Sequence, residues 1–202
     1  MTKIFITTLA FIGIISILSF STKNKFHQTK NGAQATSAVN WMSWEDAIAA
    51  LEADKKAGRK GKKIFVDIYT DWCGWCKKMD KETFQVPKIA AYLNQHFYPV
   101  KFNAEQKENI SFSGNTFKFV PQGARGYHEL AVALLDGKMS YPTVVFLNEK
   151  VEMLQRVPGY LNVPTFDCIL HYLAEERYLS TPWETFQKEF AARAQQPEGS
   201  NR

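Results

Sequence analysis

Cysteine is scarce in this chain. Three occur in 202 residues, at positions 73, 76 and 168, too few for the disulfide framework that staples small exported domains. Ligand arithmetic also weighs against zinc, which takes four ligands. No second cysteine pair exists, and His27, His96, His128 and His171 show no ligand spacing. A basic stripe is missing too. The formal charge of +5 is scattered over positions 55–63, 77–81 and the N-terminal tail without interleaved aromatics, which argues against nucleic-acid binding.

What is present fits one globular domain with appendages: 45% of residues are hydrophobic and 22% charged, in a length typical of a single domain. Lys3 precedes the uncharged run Ile4–Phe20, and small polar residues follow. A positive start, an apolar stretch and small residues at Ser19 and Ser21 read as a secretory signal, residues 1–21, cleaved after Ser21. The rival is an uncleaved membrane anchor. The run of 17 residues is short for a span of about 20 and contains two serines and two threonines, so cleavage is favoured. It holds no cysteine to carry a lipid. Residues 22–40 are polar and aperiodic and read as a linker.

The informative stretch is Val66–Lys78, where an apolar run ends in Trp72-Cys-Gly-Trp-Cys-Lys77. Two cysteines separated by two residues, between a strand end and a helix start, suit thiol-disulfide exchange. The first sulfur meets the unpaired N–H groups and positive dipole end of the helix, which favour a thiolate. The second lies one turn on, within reach of a mixed disulfide formed by the first. Cys73 is therefore the expected nucleophile and Cys76 the resolving thiol.

Around this stretch the patterning alternates between helix and strand. Ser43, acids in a first turn and lysines in a last one mark a helix over 44–57. A β-branched and aromatic run, 62–70, reads as a strand broken by Asp67. A helix over 73–82, another from Pro87 to His96 and a strand over 97–103 follow, giving an α/β layered fold with a parallel crossover. Residues 110–120 read as a β-hairpin about Ser113-Gly-Asn115, 126–135 as a helix, and 141–157 as a second hairpin turning at 148–150. Helices over 164–177 and 183–192 and a polar tail end the chain.

From about Trp41 to Tyr178, two thirds of the chain, this order and its residues resemble the thioredoxin superfamily. Trp72-Cys-Gly-Trp-Cys-Lys77 resembles the active-site motif, with Trp75 where thioredoxin has proline. Asp67 falls on the position of a buried acid, Lys101 on its occasional ion partner, Tyr141-Pro-Thr143 on the cis-proline loop and Gly159 on the glycine after the final hairpin. With Thr83-Phe84 and the helix containing Trp44, the motif is most similar to exported domains related to the C-terminal domain of the disulfide reductase DsbD. One departure stands out: forty residues separate Lys101 from Pro142, more than compact thioredoxin uses there.

The resemblance implies a thioredoxin fold over 41–180, a central mixed sheet flanked by helices, with a hairpin insertion before the cis-proline and an extra C-terminal helix and tail over 181–202. It implies a periplasmic thiol-disulfide oxidoreductase, reducing or isomerising, that needs no metal or organic cofactor. Its partners would be protein thiols and disulfides and a membrane or periplasmic electron donor. Asp67 would take the proton from Cys76. Trp72, Trp75, Tyr141 and Pro142 would meet the substrate, with Lys101 and Gly159 in support.

Bland alternatives stand beside these roles: a solvent-facing Asp67 or Lys101, a trans Pro142, and core packing for the tryptophans, Trp72 above all. Lys77 and Lys78 read as a solvated helix face, His128 as a helix surface residue, and Cys168 as a buried small hydrophobe. A client-binding module with incidental redox activity is the functional rival. A membrane-anchored helper in cytochrome c maturation is a third reading.

Overall fold

The protein, as a computed structural model, is described over residues 38–194. The signal or anchor, most of the expected linker and the polar tail lie outside that range. Among the described residues no helix is long and apolar enough to cross a membrane.

Helix α1, Trp44–Lys56, starts where the Ser43 hydroxyl accepts the Asp46 N–H at 3.0 Å, and its terminal acids and lysines match the helix dipole. Strand β1, Lys63–Tyr69, leads to α2, Gly74–Met79, and a π-helical turn, Asp80–Phe84. Next come α3, Pro87–His96, and β2, Phe97–Asn103. Two short hairpins follow: β3, Ile110–Phe112, with β4, Asn115–Phe117; then β5, Phe119–Gln122, with β6, Arg125–His128. The chain continues through α4, Glu129–Leu135, β7, Thr143–Leu147, β8, Met153–Pro158, α5, Val163–Ala174, a 3-10 turn and α6, Trp183–Ala194.

The main sheet runs β2-β1-β7-β8. β1 pairs with β2 in parallel and with β7 antiparallel, and β7 pairs antiparallel with β8, so the sheet is mixed. Strand alternation divides β1 between two cores. Ile64, Val66 and Ile68 join α1 and α4 on one face. Phe65 joins Met79, Phe84, Leu93 and Phe166 on the other, with its ring 5.7 Å from Phe84 and 5.5 Å from Phe166. Asp67 shares the Phe65 parity and so points toward the layer that carries α2.

Four sequence expectations are corrected. The helix after Cys73 gives way at Asp80 to a π turn, which buries Thr83 and Phe84. The expected hairpin ends at Phe117, and a second one, 119–128, follows it. The helix expected from Gly126 therefore starts at Glu129. His128 is fully buried rather than on a helix surface: its Nδ1 accepts the Leu130 N–H at 3.2 Å and caps α4. Cys168 is buried as expected, and burial pushes its thiol up to about 11. At the end of the expected linker, Val39 is buried. At the other end of the chain, Phe186 of α6 is fully buried, 5.1 Å from the Tyr172 ring of α5.

Candidate active site

The apolar pressure on β1 carries the chain into the sheet, and at its exit Asp71 and Trp72 lead to the two cysteines. Cys73 and Cys76 form a disulfide. Cys73 is the N-cap of α2, and its Sγ accepts the Cys76 N–H at 3.0 Å. Both cysteines are buried, 5% and 4% exposed. Trp72 and Trp75 beside them stand out at 50% and 58%, so core packing describes neither.

Each tryptophan reaches a loop at its own end of the sheet, where Ile68 of β1 lies opposite Thr143 at the start of β7, and Thr143 opposite Pro158 at the end of β8. The Trp72 ring lies edge-on to Tyr141, 5.9 Å between centroids, and its indole N–H donates to Glu105 at 3.0 Å. Trp75 lies 5.6 Å from Tyr160. The Tyr141–Pro142 peptide bond is cis. Burial, with Glu105 adding to it, pushes the Tyr141 hydroxyl up to about 12.

Gly159 sits at φ +92°, a conformation few side chains tolerate, and from there its N–H donates to the Pro142 carbonyl at 2.8 Å. The loop it begins is fastened to the π turn that follows α2. Thr83 Oγ1 donates to the Leu161 carbonyl at 2.7 Å, and the Tyr160 hydroxyl donates to Glu82 at 3.0 Å.

Asp67 is 1% exposed, against the solvent-facing alternative. Lys101 Nζ, from the register position beside it on β2, lies 2.8 Å from Asp67 Oδ2 and 2.7 Å from Asp80 Oδ1. Neither Asp67 oxygen accepts a well-directed hydrogen bond, so its contact with Lys101 is chiefly electrostatic. Burial raises the Asp67 pKa, and Lys101 offsets only part of that. Burial disfavours the Lys101 ammonium, but the two carboxylates outweigh it and raise the Lys101 pKa. The ammonium also sits over the rings of Trp41 and Tyr69, at 4.7 and 5.1 Å.

Sequence reasoning named Cys73, Cys76, Asp67, Lys101, Trp72, Trp75, Tyr141, Pro142 and Gly159, and the contacts above tie them into two clusters. It missed Asp80, Tyr160, Glu105 and Arg125, whose guanidinium carbon lies 4.4 Å from the centroid of the Trp72 ring. A signal existed for Tyr160, the residue next to Gly159. Asp80 depends on the π turn, and Arg125 on the second hairpin.

The family model described as a thioredoxin-like domain matches residues 51–174. The chain belongs to that family. Human spermatogenesis-associated protein 20 is 31% identical over 83 residues, covering 41% of this chain and 10% of that protein. The thiol:disulfide interchange protein DsbD of Salmonella typhimurium is 26% identical over 141 residues, covering 69% of this chain and 21% of DsbD. This chain thus spans only a small part of the curated relatives it matches, between 10% and 21% of their length. A solved thioredoxin-fold protein from Helicobacter pylori superposes with a TM-score of 0.48 at 18% identity, covering 65% of this chain and 81% of that one.

Proposed function

We propose that this protein is an exported thiol-disulfide oxidoreductase that exchanges disulfides with protein substrates, in the reducing or isomerising direction. The observation that carries the reading is the Cys73–Cys76 disulfide at the start of α2, with the Cys76 N–H directed at Cys73 Sγ. An N–H aimed at one sulfur favours the anion there, so Cys73 is the thiolate of the reduced form.

In the reducing direction, Cys73 thiolate attacks one sulfur of a substrate disulfide. That S–S bond breaks, a mixed disulfide forms, and the departing substrate thiolate takes a proton. Cys76 then loses its proton and attacks Cys73 Sγ, which breaks the mixed disulfide and releases the second substrate thiolate. Two electrons pass from the dithiol to the substrate. Asp67, with its raised pKa, is the group assigned to receive the Cys76 proton. Tyr141, held by the cis bond to Pro142, offers backbone groups to an extended substrate, and Trp72 and Trp75 offer apolar platforms.

Export is supported by the character of residues 1–21. The direction is supported by the likeness to DsbD and requires a membrane or periplasmic electron donor. The test is a trapping experiment. Cys76→Ser is expected to accumulate a mixed disulfide on Cys73 with a protein disulfide substrate, while Cys73→Ser reduces nothing and traps nothing. Wild-type behaviour in both variants would overturn the exchange reading in favour of a client-binding module.

A further inference from the structure

The long insertion between β2 and β7 does two separate things. Its first hairpin serves the core: Ile110 is buried, and the Phe112 ring lies edge-on to Trp44 at 5.3 Å. Its second hairpin, β5–β6, is fixed at the base. The His128 N–H donates to the Ala104 carbonyl at 2.7 Å, and the Glu129 N–H to the Lys118 carbonyl at 2.9 Å. Gln122 pairs with Arg125 across a two-residue turn. Behind that turn the strands close tightly on Gly126, where a Cβ would lie 2.2 Å from the Phe119 ring and 2.5 Å from the Val120 carbonyl oxygen. A hairpin anchored at its base and closed at its tip holds Arg125 in place.

Arg125 reaches the redox motif. Its guanidinium carbon lies 4.4 Å from the centroid of the Trp72 ring, the ring that also meets Tyr141. The Trp75 platform on the other side of the cysteines has its cation as well, with Lys78 5.1 Å from the ring. Their electrostatic states differ. Lys78 has the Glu82 carboxylate 3.9 Å away. Arg125 is exposed and takes part in none of the ion pairs among the described residues. Glu105 accepts the indole N–H of Trp72. A guanidinium held over an exposed ring, with its donors uncommitted among the described residues, is shaped to grip a carboxylate in a forked pair.

We propose that Arg125 is a specificity-determining residue of the exchange reaction: it binds an acidic side chain on the client polypeptide, beside the disulfide under attack. The occupant is an extended peptide segment with Asp or Glu flanking its cysteine. The inference rests on the exchange function proposed above.

The experiment uses pre-reduced protein in single-turnover reactions with three disulfides. Two are peptide disulfides identical except for Asp or Lys next to the cysteine, and the third is bis(2-hydroxyethyl) disulfide, which carries no charge. The readout is the Asp-to-Lys ratio of second-order rate constants within each variant, which cancels changes in the intrinsic reactivity of the thiols. Wild type is expected to favour the Asp peptide about fivefold, on the scale of an exposed charge pair. Arg125→Gln should bring the ratio near one, and Arg125→Glu should invert it. An unaltered ratio in both variants, or no preference in wild type, overturns the assignment. Failure of wild type to reduce even the hydroxyethyl disulfide overturns the exchange function itself.

Discussion

Asp67 is a carboxylate buried in the centre of the sheet. It stands in an apolar strand with a single cation beside it, and that cation is shared with Asp80. In an unfolded chain an aspartate releases its proton near pH 3.9, whereas the folded protein holds this one to higher pH. Between those values the native state binds the extra proton, so stability falls as pH rises through the window, and above the folded pKa the loss is complete. Asp67→Asn is therefore expected to be more stable than wild type at pH 8, by about 1–3 kcal/mol, the scale of a poorly satisfied buried polar group. The advantage should shrink toward pH 4. Urea unfolding at the two pH values checks this, and an equal or reversed difference at pH 8 would contradict it. On the proposed mechanism, in which Asp67 receives the Cys76 proton, the same variant should also slow release of mixed disulfides.

At the scale of elements, the hairpin β5–β6 is the most exacting piece. The Val120 carbonyl leaves no room for a methyl group on Gly126. Gly126→Ala should cost about 1–3 kcal/mol, as overpacking does, and should abolish any preference for the Asp peptide by shifting Arg125. Retention of both the urea midpoint and the peptide preference would show that the hairpin is softer than its contacts indicate.

The sequence concealed this element for physical reasons. Pro121, Gly123 and Gly126 break the period-2 pattern that marks a strand. The same glycines sit beside an apolar run with helical spacing, which pulled the expected start of α4 three residues too early. β1, by contrast, was legible, because a β-branched run bounded by lysines and by the Trp-Cys motif has no competing interpretation. The Asp80–Lys101 contact was not readable at all: it depends on a π turn and on a partner 21 residues away.

For the whole molecule, the two faces of the sheet divide the work. α1, α4 and the first inserted hairpin cover one face, while the other packs against α2, α3 and α5 and holds Asp67. The C-terminal helix belongs to this second layer. Phe186 is fully buried against Tyr172, so Phe186→Ala should cost about 3–5 kcal/mol in chemical unfolding. A loss under 1 kcal/mol would mean that α6 is an appendage.

On the proposed function, Cys73 and Cys76 form a working redox pair and not a structural staple. Equilibrating the protein in glutathione buffers of graded potential, then counting free thiols after acid quench and alkylation, tests it most directly. One two-electron transition is expected between about −270 and −120 mV, the span of thioredoxin-like exchangers. A pair still fully oxidised at about −300 mV, where structural disulfides persist, would contradict it.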